Sequence, residues 1–222
     1  MMLVTCVVKQ TAGGVSTLQG SELTRQAKGG IIVCDIKNEV VNMSDTVHAA
    51  ANRYTIIPSP IGELLIAAQE ARIVHVAFEN HDFASVLERL EGQFGAPVLR
   101  DDETLRYATD QFDEYFAGTR ESFELPIQRG NTERFITTVQ QNLATIPYGE
   151  TRSYGQFAQE LDKPGAARAV GSACARNPMP IIQPCHRVVR ADGTYGEFSG
   201  TPGAKKYLLA LERGEKSDAT AA

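Results

Sequence analysis

The stretch "RSYGQFAQELDKPGAARAVGSACARNP", Arg152 to Pro178, leaves few backbones open. Ser153 and, three residues on, Gln156 have the form of a capping box, so a helix starts here and runs to about Leu161. "DKPG" makes a short turn, and a second helix follows from about Gly165 to Ala175, stopping at Asn177-Pro178. Two short helices on a short turn are the helix-turn-helix pattern. The second helix is nearly all Ala, Gly, Ser and Cys. Its thin backbone fits tightly against other helices in a core. With Arg168 as its lone long cation, it also fits a groove of DNA. From Lys163 to Lys206 there are seven bases (Lys163, Arg168, Arg176, Arg187, Arg190, Lys205, Lys206) against Asp192 and Glu197, a local +5 in a chain of formal charge −5. Alone, such charges belong to a solvated face; beside a helix-turn-helix they favour phosphate contact. The net acidity argues against coating nucleic acid by bulk charge and leaves a local basic face open.

The second constraining stretch is "IIQPCHRVV", residues 181–189. Cysteine is usually a small buried hydrophobe. Here Cys185 sits between Pro184 and His186, with Arg187 next. A thiol becomes a nucleophile when a neighbouring base or positive charge favours its thiolate. A histidine base in turn needs a third group to fix its tautomer. Glu212, beside leucines on the amphipathic pattern "KKYLLALERGE", is the downstream acid that can point inward; otherwise it is a surface glutamate near a helix end. The four cysteines, Cys6, Cys34, Cys174 and Cys185, form no CxxC pair, so reduced thiols are the simplest reading. Cys174 reads as core. No run of 18 apolar residues marks a membrane span, and "MMLVTCVVKQ" is a poor secretory signal.

The rest of the chain supplies a frame. "RYTIIPSPIGELLIAA" reads as strand, turn, strand, and "RIVHVAF" as a third strand. "DFASVLERLEGQF" is a helix capped by Asp82, and "TLRYATDQFDEYFAG" a second one ended by Gly118. "NTERFITTVQQNLATIP" places Phe135, Ile136, Val139, Leu143 and Ile146 on one helical face. Four segments follow: a loosely ordered extension over 1–52, an α+β domain over 53–130, a helical domain over 131–214 and a flexible tail over 215–222. Within the first, "GGIIVCDI" is a strand candidate without evident partners, and Met43 is an alternative start.

"PCHRVV", preceded by "RNPMPII" and followed by "DGTYGEFSG" and "KKYLLALE", resembles the active-site region of the O6-alkylguanine-DNA alkyltransferases. "IPYGETRSYGQFA" and "GAARAVGSA" match the same family, and the likeness spans about residues 53–214. It implies an α+β fold. A small antiparallel-sheet, ribonuclease H-like domain precedes a helical, winged helix-turn-helix-like alkyltransferase domain. Cys185 would accept the alkyl group, with His186 and Glu212 as a hydrogen-bond relay, through a water, that lowers the thiol pKa. Tyr154 would donate a proton toward the flipped guanine or help rotate its phosphate. Arg168 would enter the duplex, with Ser153, Ala167, Ala169, Arg176 and Arg187 on the DNA side. Asn177 would hinge the helix-turn-helix to the Cys185 segment. Val188, Phe198, Ser199 and Gly200 would border the base pocket.

The implied activity is suicidal repair. The alkyl group of O6-alkylguanine, or of O4-alkylthymine, passes irreversibly to the protein. The partner is double-stranded DNA, met in the minor groove with the damaged base flipped out. No cofactor and no membrane are expected, and no metal, because the zinc ligands of some members have no match here; a cytoplasmic monomer is the default, nucleoid-associated in a prokaryote. Members commonly carry Tyr where this chain has Phe198, which keeps the ring and loses the hydroxyl. Two other classes stay open: a damage-binding protein without transfer, and a cysteine hydrolase built on Cys185 and His186.

Overall fold

The computed structural model describes residues 52–128, 134–196 and 198–215, together with the backbone of four strands before them. The chain divides into two compact units, 1–51 and 52–222. In the first, β1 (Cys6–Gln10), β2 (Gly14–Leu18), β3 (Ile32–Ile36) and β4 (Glu39–Asn42) form an antiparallel sheet in the order β2-β1-β3-β4. The strand read in "GGIIVCDI" is β3, and it has partners on both sides that its sequence neighbourhood did not suggest. Those partners are strands of four and five residues, too brief for an alternating pattern to stand out. Met43, the junction at 130/131 and the tail beyond Glu215 lie outside the described residues.

In the second unit β5 (Asn52–Ile57), β6 (Leu64–Gln69) and β7 (Arg72–Phe78) form an antiparallel meander. The sheet is not wholly antiparallel, as the sequence reading had it. After α1 (Phe83–Phe94) a three-residue strand, β8 (Val98–Arg100), runs parallel to β5 at the other edge, giving the order β7-β6-β5-β8. The helix carries the chain across the sheet, so the strand re-enters in the direction of β5; at three residues it left no periodic signal.

Strand β6 shows how the sheet organises the core. Successive side chains point to opposite faces. Leu64, Ile66 and Ala68 join a cluster with Phe112 and Tyr115 of α2 (Arg106–Phe116), while Leu65 and Ala67 meet Val86 and Leu90 of α1. Asp82 caps α1 as its sequence predicts, accepting from the backbone N–H groups of Ala84 and Ser85. The first cluster does not stop at the sheet domain. It takes in Met179, Ile181 and, from α6 (Ala204–Glu212), Ala204, Tyr207 and Leu208. One continuous apolar core therefore joins the sheet to α6 and to the segment that leads into Cys185. At its edge, the Val76 N–H donates to the Pro178 carbonyl at 2.9 Å.

On β7, His75 Nε2 lies 3.2 Å from Arg89 Nη2. A guanidinium only donates, so this nitrogen accepts and the ring is neutral. Burial first, then the charges of Arg89 and His81, bring its pKa from 6.5 to about 4. The unfolded chain takes up a proton that the folded one refuses, so stability falls as pH drops from 6.5 toward 4. The group's share is on the order of 3 kcal/mol. A His75→Gln variant should lose less stability than the parent between pH 7 and about 4.5 in urea unfolding. An equal loss in both would place the acid sensitivity elsewhere.

Candidate active site

The second unit continues with α3 (Phe135–Asn142) and a single 3-10 turn, Leu143–Thr145. β9 (Arg152–Ser153), α4 (Tyr154–Glu160) and α5 (Ala167–Ala175) follow. The capping box is formed: Ser153 Oγ accepts from Gln156 N at 3.1 Å, and Gln156 Oε1 accepts from Ser153 N at 2.8 Å. Cys185–Arg187 form a 3-10 turn leading into β10 (Val188–Val189), which pairs with β9 so that Val189 lies opposite Ser153. That pairing fixes the start of α4, and with it Tyr154, beside the cysteine segment. Val170, Ala173 and Cys174 of α5 pack with Val139, Leu143, Phe157 and Cys185. The small residues thus serve the core on one face, while Arg168 stands exposed on the same helix.

Glu212 is fully buried and is the hub of the site. Its Oε1 accepts from the Tyr115 hydroxyl at 2.7 Å and lies 2.7 Å from His186 Nε2. Arg187 grips the same carboxylate, Nη2 to Oε1 at 2.9 Å and Nε to Oε2 at 3.0 Å. The Gly149 N–H reaches Oε2 at 3.2 Å. Gly149 has φ of 76°, and a Cβ there would lie 2.9 Å from the Glu212 carbonyl oxygen, so only glycine fits this approach without strain. Burial pushes the Glu212 carboxyl up, but the hydrogen bonds and charges of His186 and Arg187 outweigh it and bring it to about 2. An ionised carboxylate only accepts, so His186 Nε2 carries its hydrogen and Nδ1 holds a lone pair. Nδ1 is buried and bonded to no protein group. Burial, resisted by the Glu212 contact, keeps the imidazole below its ordinary pKa and hence neutral.

Cys185 is 3% exposed. Burial pushes its thiol up; the Asn177 amide and the Lys205 charge pull it down without prevailing. Asn177 ties the preceding loop together, donating to the Gln183 carbonyl at 2.7 Å and accepting from Met179 N at 3.1 Å. Lys205 is buried beside both thiols, its Nζ donating to the Val188 carbonyl at 2.6 Å and sitting 6.0 Å from the Tyr154 ring centre. Tyr154 runs close to two glycines: a Cβ on Gly196 would lie 2.9 Å from its hydroxyl, and one on Gly171 3.7 Å from its ring. Phe198 meets Phe78 edge-on at 5.4 Å and His186 at 6.5 Å. Asn80 holds the loop after it through the carbonyls of Ser199 and Gly200. A cavity of about 680 Å³ is lined by Asn177 and Ser199 with His75, Arg89 and Arg176; Cys185 and His186 do not line it.

A buried thiol, a neutral imidazole with one unpartnered nitrogen and a helix-turn-helix thus meet in one unit. The family model for the DNA-binding domain of 6-O-methylguanine DNA methyltransferase matches residues 134–214, and that for its ribonuclease-like domain matches 52–128. The chain belongs to the 6-O-methylguanine DNA methyltransferase family. Among its relatives, the constitutive methylated-DNA–protein-cysteine methyltransferase of Bacillus subtilis is 38% identical over 163 residues, 73% of this chain and 96% of that one. The Methanosarcina barkeri methyltransferase is 40% identical over 159 residues, 72% and 96% of the two chains. The crystal structure of Mycobacterium tuberculosis OGT in complex with DNA superposes with a TM-score of 0.65 at 36% identity, over 76% of this chain and 98% of that one.

Seen as a methyltransferase, the chain brings Cys185, His186, Glu212, Asn177 and Val188 together in its interior, with Phe198 partly buried against them. Tyr154, Ser153, Ala167 and Ala169 are half-buried around them, and Arg168 and Arg176 are exposed. Two expectations change. Arg187 does not face outward for DNA: it is 6% exposed, its charge taken up by Glu212 and its Nη1 donating to the Ile146 carbonyl at 2.6 Å. The thiol is not lowered but raised, because burial outweighs every stabilising neighbour. Lys205 and Tyr115 were missed. Lys205 had been counted only within the basic run, and Tyr115 belongs to another domain, 97 residues from Glu212. Among the described residues no helix is long and apolar enough to cross a membrane.

Proposed function

We propose that this methyltransferase repairs O6-alkylguanine in duplex DNA by moving the alkyl group to Cys185, once per molecule. The observation that carries the reading is the free lone pair on His186 Nδ1, next in sequence to a buried thiol and backed by the His186–Glu212 contact of 2.7 Å. As the S–C bond forms and the C–O6 bond breaks, the thiol proton passes, through a water, to Nδ1. The imidazolium is then held by the ionised carboxylate. Guanine leaves more readily as it gains a proton, for which Tyr154 is the donor. A thioether offers water no good leaving group, so even beside His186 it persists and the protein does not turn over.

An O6-alkyl group inside the base stack is out of reach of a buried thiol, so the nucleotide must be extruded, at a cost of a few kcal/mol. Arg168, exposed near the start of α5, fills the vacated space from the minor-groove side, and the narrow surface at Ala167 and Ala169 lets the helix sit close. Ser153 Oγ accepts within the capping box and keeps its own proton to donate to a phosphate; Arg176 is a second phosphate contact. Val188, Phe198, Ser199 and Gly200 border the extruded base.

Intact-protein mass spectrometry after incubation with a duplex carrying one O6-methylguanine tests this directly. The expected result is one methyl added per protein, stable over hours and mapping to the Cys185 peptide. Binding with no mass gain would leave a damage binder. A label that forms and hydrolyses away would mark a cysteine hydrolase.

A further inference from the structure

We propose that Tyr115, contributed by the ribonuclease-like domain, is a positioning residue for alkyl transfer: its hydroxyl shares a Glu212 oxygen with His186 and so limits how strongly the carboxylate draws on the imidazole. This rests on the reading that Cys185 accepts the alkyl group with His186 as base.

Tyr115 is 0% exposed on α2. Its ring is set among Phe116, Phe123 and Tyr148, at centroid distances of 5.5, 5.3 and 6.2 Å. A phenylalanine would fill that space equally well, so packing alone does not account for the hydroxyl. The hydroxyl instead ends 2.7 Å from Glu212 Oε1, the oxygen that also lies 2.7 Å from His186 Nε2. Burial first, then the Glu212 charge, hold the phenol well above its ordinary pKa, so it remains a donor at every working pH.

The other charged or titratable groups around the pair are Arg187, Lys205 and Tyr148, with Cys185 next in sequence to His186. Among the described residues these lie within the DNA-binding domain match, whereas Tyr115 reaches in from the ribonuclease-like domain, from which Glu121 also acts on Tyr148 by charge. A hydrogen bond donated to a carboxylate withdraws charge from it, and charge-assisted bonds are the strong ones. With Tyr115 in place, Oε1 holds the Nε2 hydrogen less tightly and Nδ1 is a weaker base. Without it, His186 gains proton affinity and is taken out of service as a base at higher pH.

The test compares single-turnover alkyl transfer by the full chain and by Tyr115→Phe from about pH 5 to 8, across the range where histidine titrates. The midpoint of the acid limb should rise by about 0.5–1 pH unit, roughly the effect of one charge-assisted hydrogen bond. Below the midpoint the variant is then about three- to tenfold slower, and at high pH the two rates agree within about twofold. A merely structural role would lower the rate by one factor at every pH, or not at all, and either result overturns the proposal. The ¹⁵N titration of His186, measured on the same proteins without DNA, should move by the same amount in the same direction; an unmoved titration also overturns it. If neither protein acquires a methyl group at Cys185, the parent reading fails, and the imidazole titration still decides whether Tyr115 governs His186.

Discussion

A Cys185→Ala protein acquires no alkyl group from an O6-methylguanine duplex and binds that duplex about as well as the parent. The sulfur is the only atom removed. It lies in the apolar cluster with Val139, Phe157 and Val170, so alanine fits the site with a small void. The stability cost is about 1 kcal/mol, ordinary for a modest core truncation. Arg168, Ser153 and Arg176, the groups assigned to DNA, stand on other elements and are untouched. Mass spectrometry and a gel shift on the same sample separate the two properties. A remaining stoichiometric label would move the acceptor elsewhere, with Cys174, the other thiol of the same cluster, the first to examine. Burial pushes that thiol up to about 12, which makes it a poor nucleophile. Loss of duplex binding would show that Cys185 organises the DNA-binding surface as well as the chemistry.

The raised thiol pKa fits the proposal that each molecule acts once. The thiolate is the reactive form toward oxidants and stray electrophiles, and each such event would consume a molecule. In this site His186 is neutral, so it offers the sulfur no positive charge to ionise against. It offers a lone pair instead. The thiol stays protonated at rest and, in the proposed reaction, gives up its proton only as the alkyl carbon is attacked. Lys205 and the Asn177 amide moderate the burial penalty without cancelling it.

Legibility in the sequence followed the range of the interactions. The capping box at Ser153, the Asp82 cap and the turn between α4 and α5 are set by residues within four positions of each other, and all three stand as their spacing implies. The parallel strand β8 was not legible, because its partner β5 lies more than 40 residues away and three residues carry no period. Arg187 and Lys205 were misjudged for a related reason. Sequence counts a charge but not its direction, and both side chains turn inward to an acceptor on a distant element, Glu212 in one case and the Val188 carbonyl in the other. Leucines around Glu212 on a helix left it open between an inward acid and a surface one, and the family resemblance singled it out. Tyr115 was hidden because a tyrosine on an amphipathic face reads as core, and only the fold shows where its hydroxyl ends.

Glu212→Gln should cost more stability than any other single change in the site, about 3–5 kcal/mol at neutral pH, because it leaves the buried Arg187 guanidinium without its counter-charge. It should also slow alkyl transfer by about 10²–10⁴, the usual worth of a positioned acid–base pair. A glutamine can donate its amide hydrogen to His186 Nε2, which moves the imidazole proton to Nδ1 and blocks the one nitrogen free to act as base. The two effects separate by pH. The parent carboxyl is depressed from 4.5 to about 2, so its contribution to stability is complete above pH 4.5 and drains away as pH falls toward 2. Glutamine does not titrate. The gap in unfolding free energy between parent and variant, measured in urea at pH 7 and again near pH 3, should therefore shrink at the lower pH. A gap of the same size at both would mean that Glu212 stabilises the site through shape, and that the charge on Arg187 is balanced by another group.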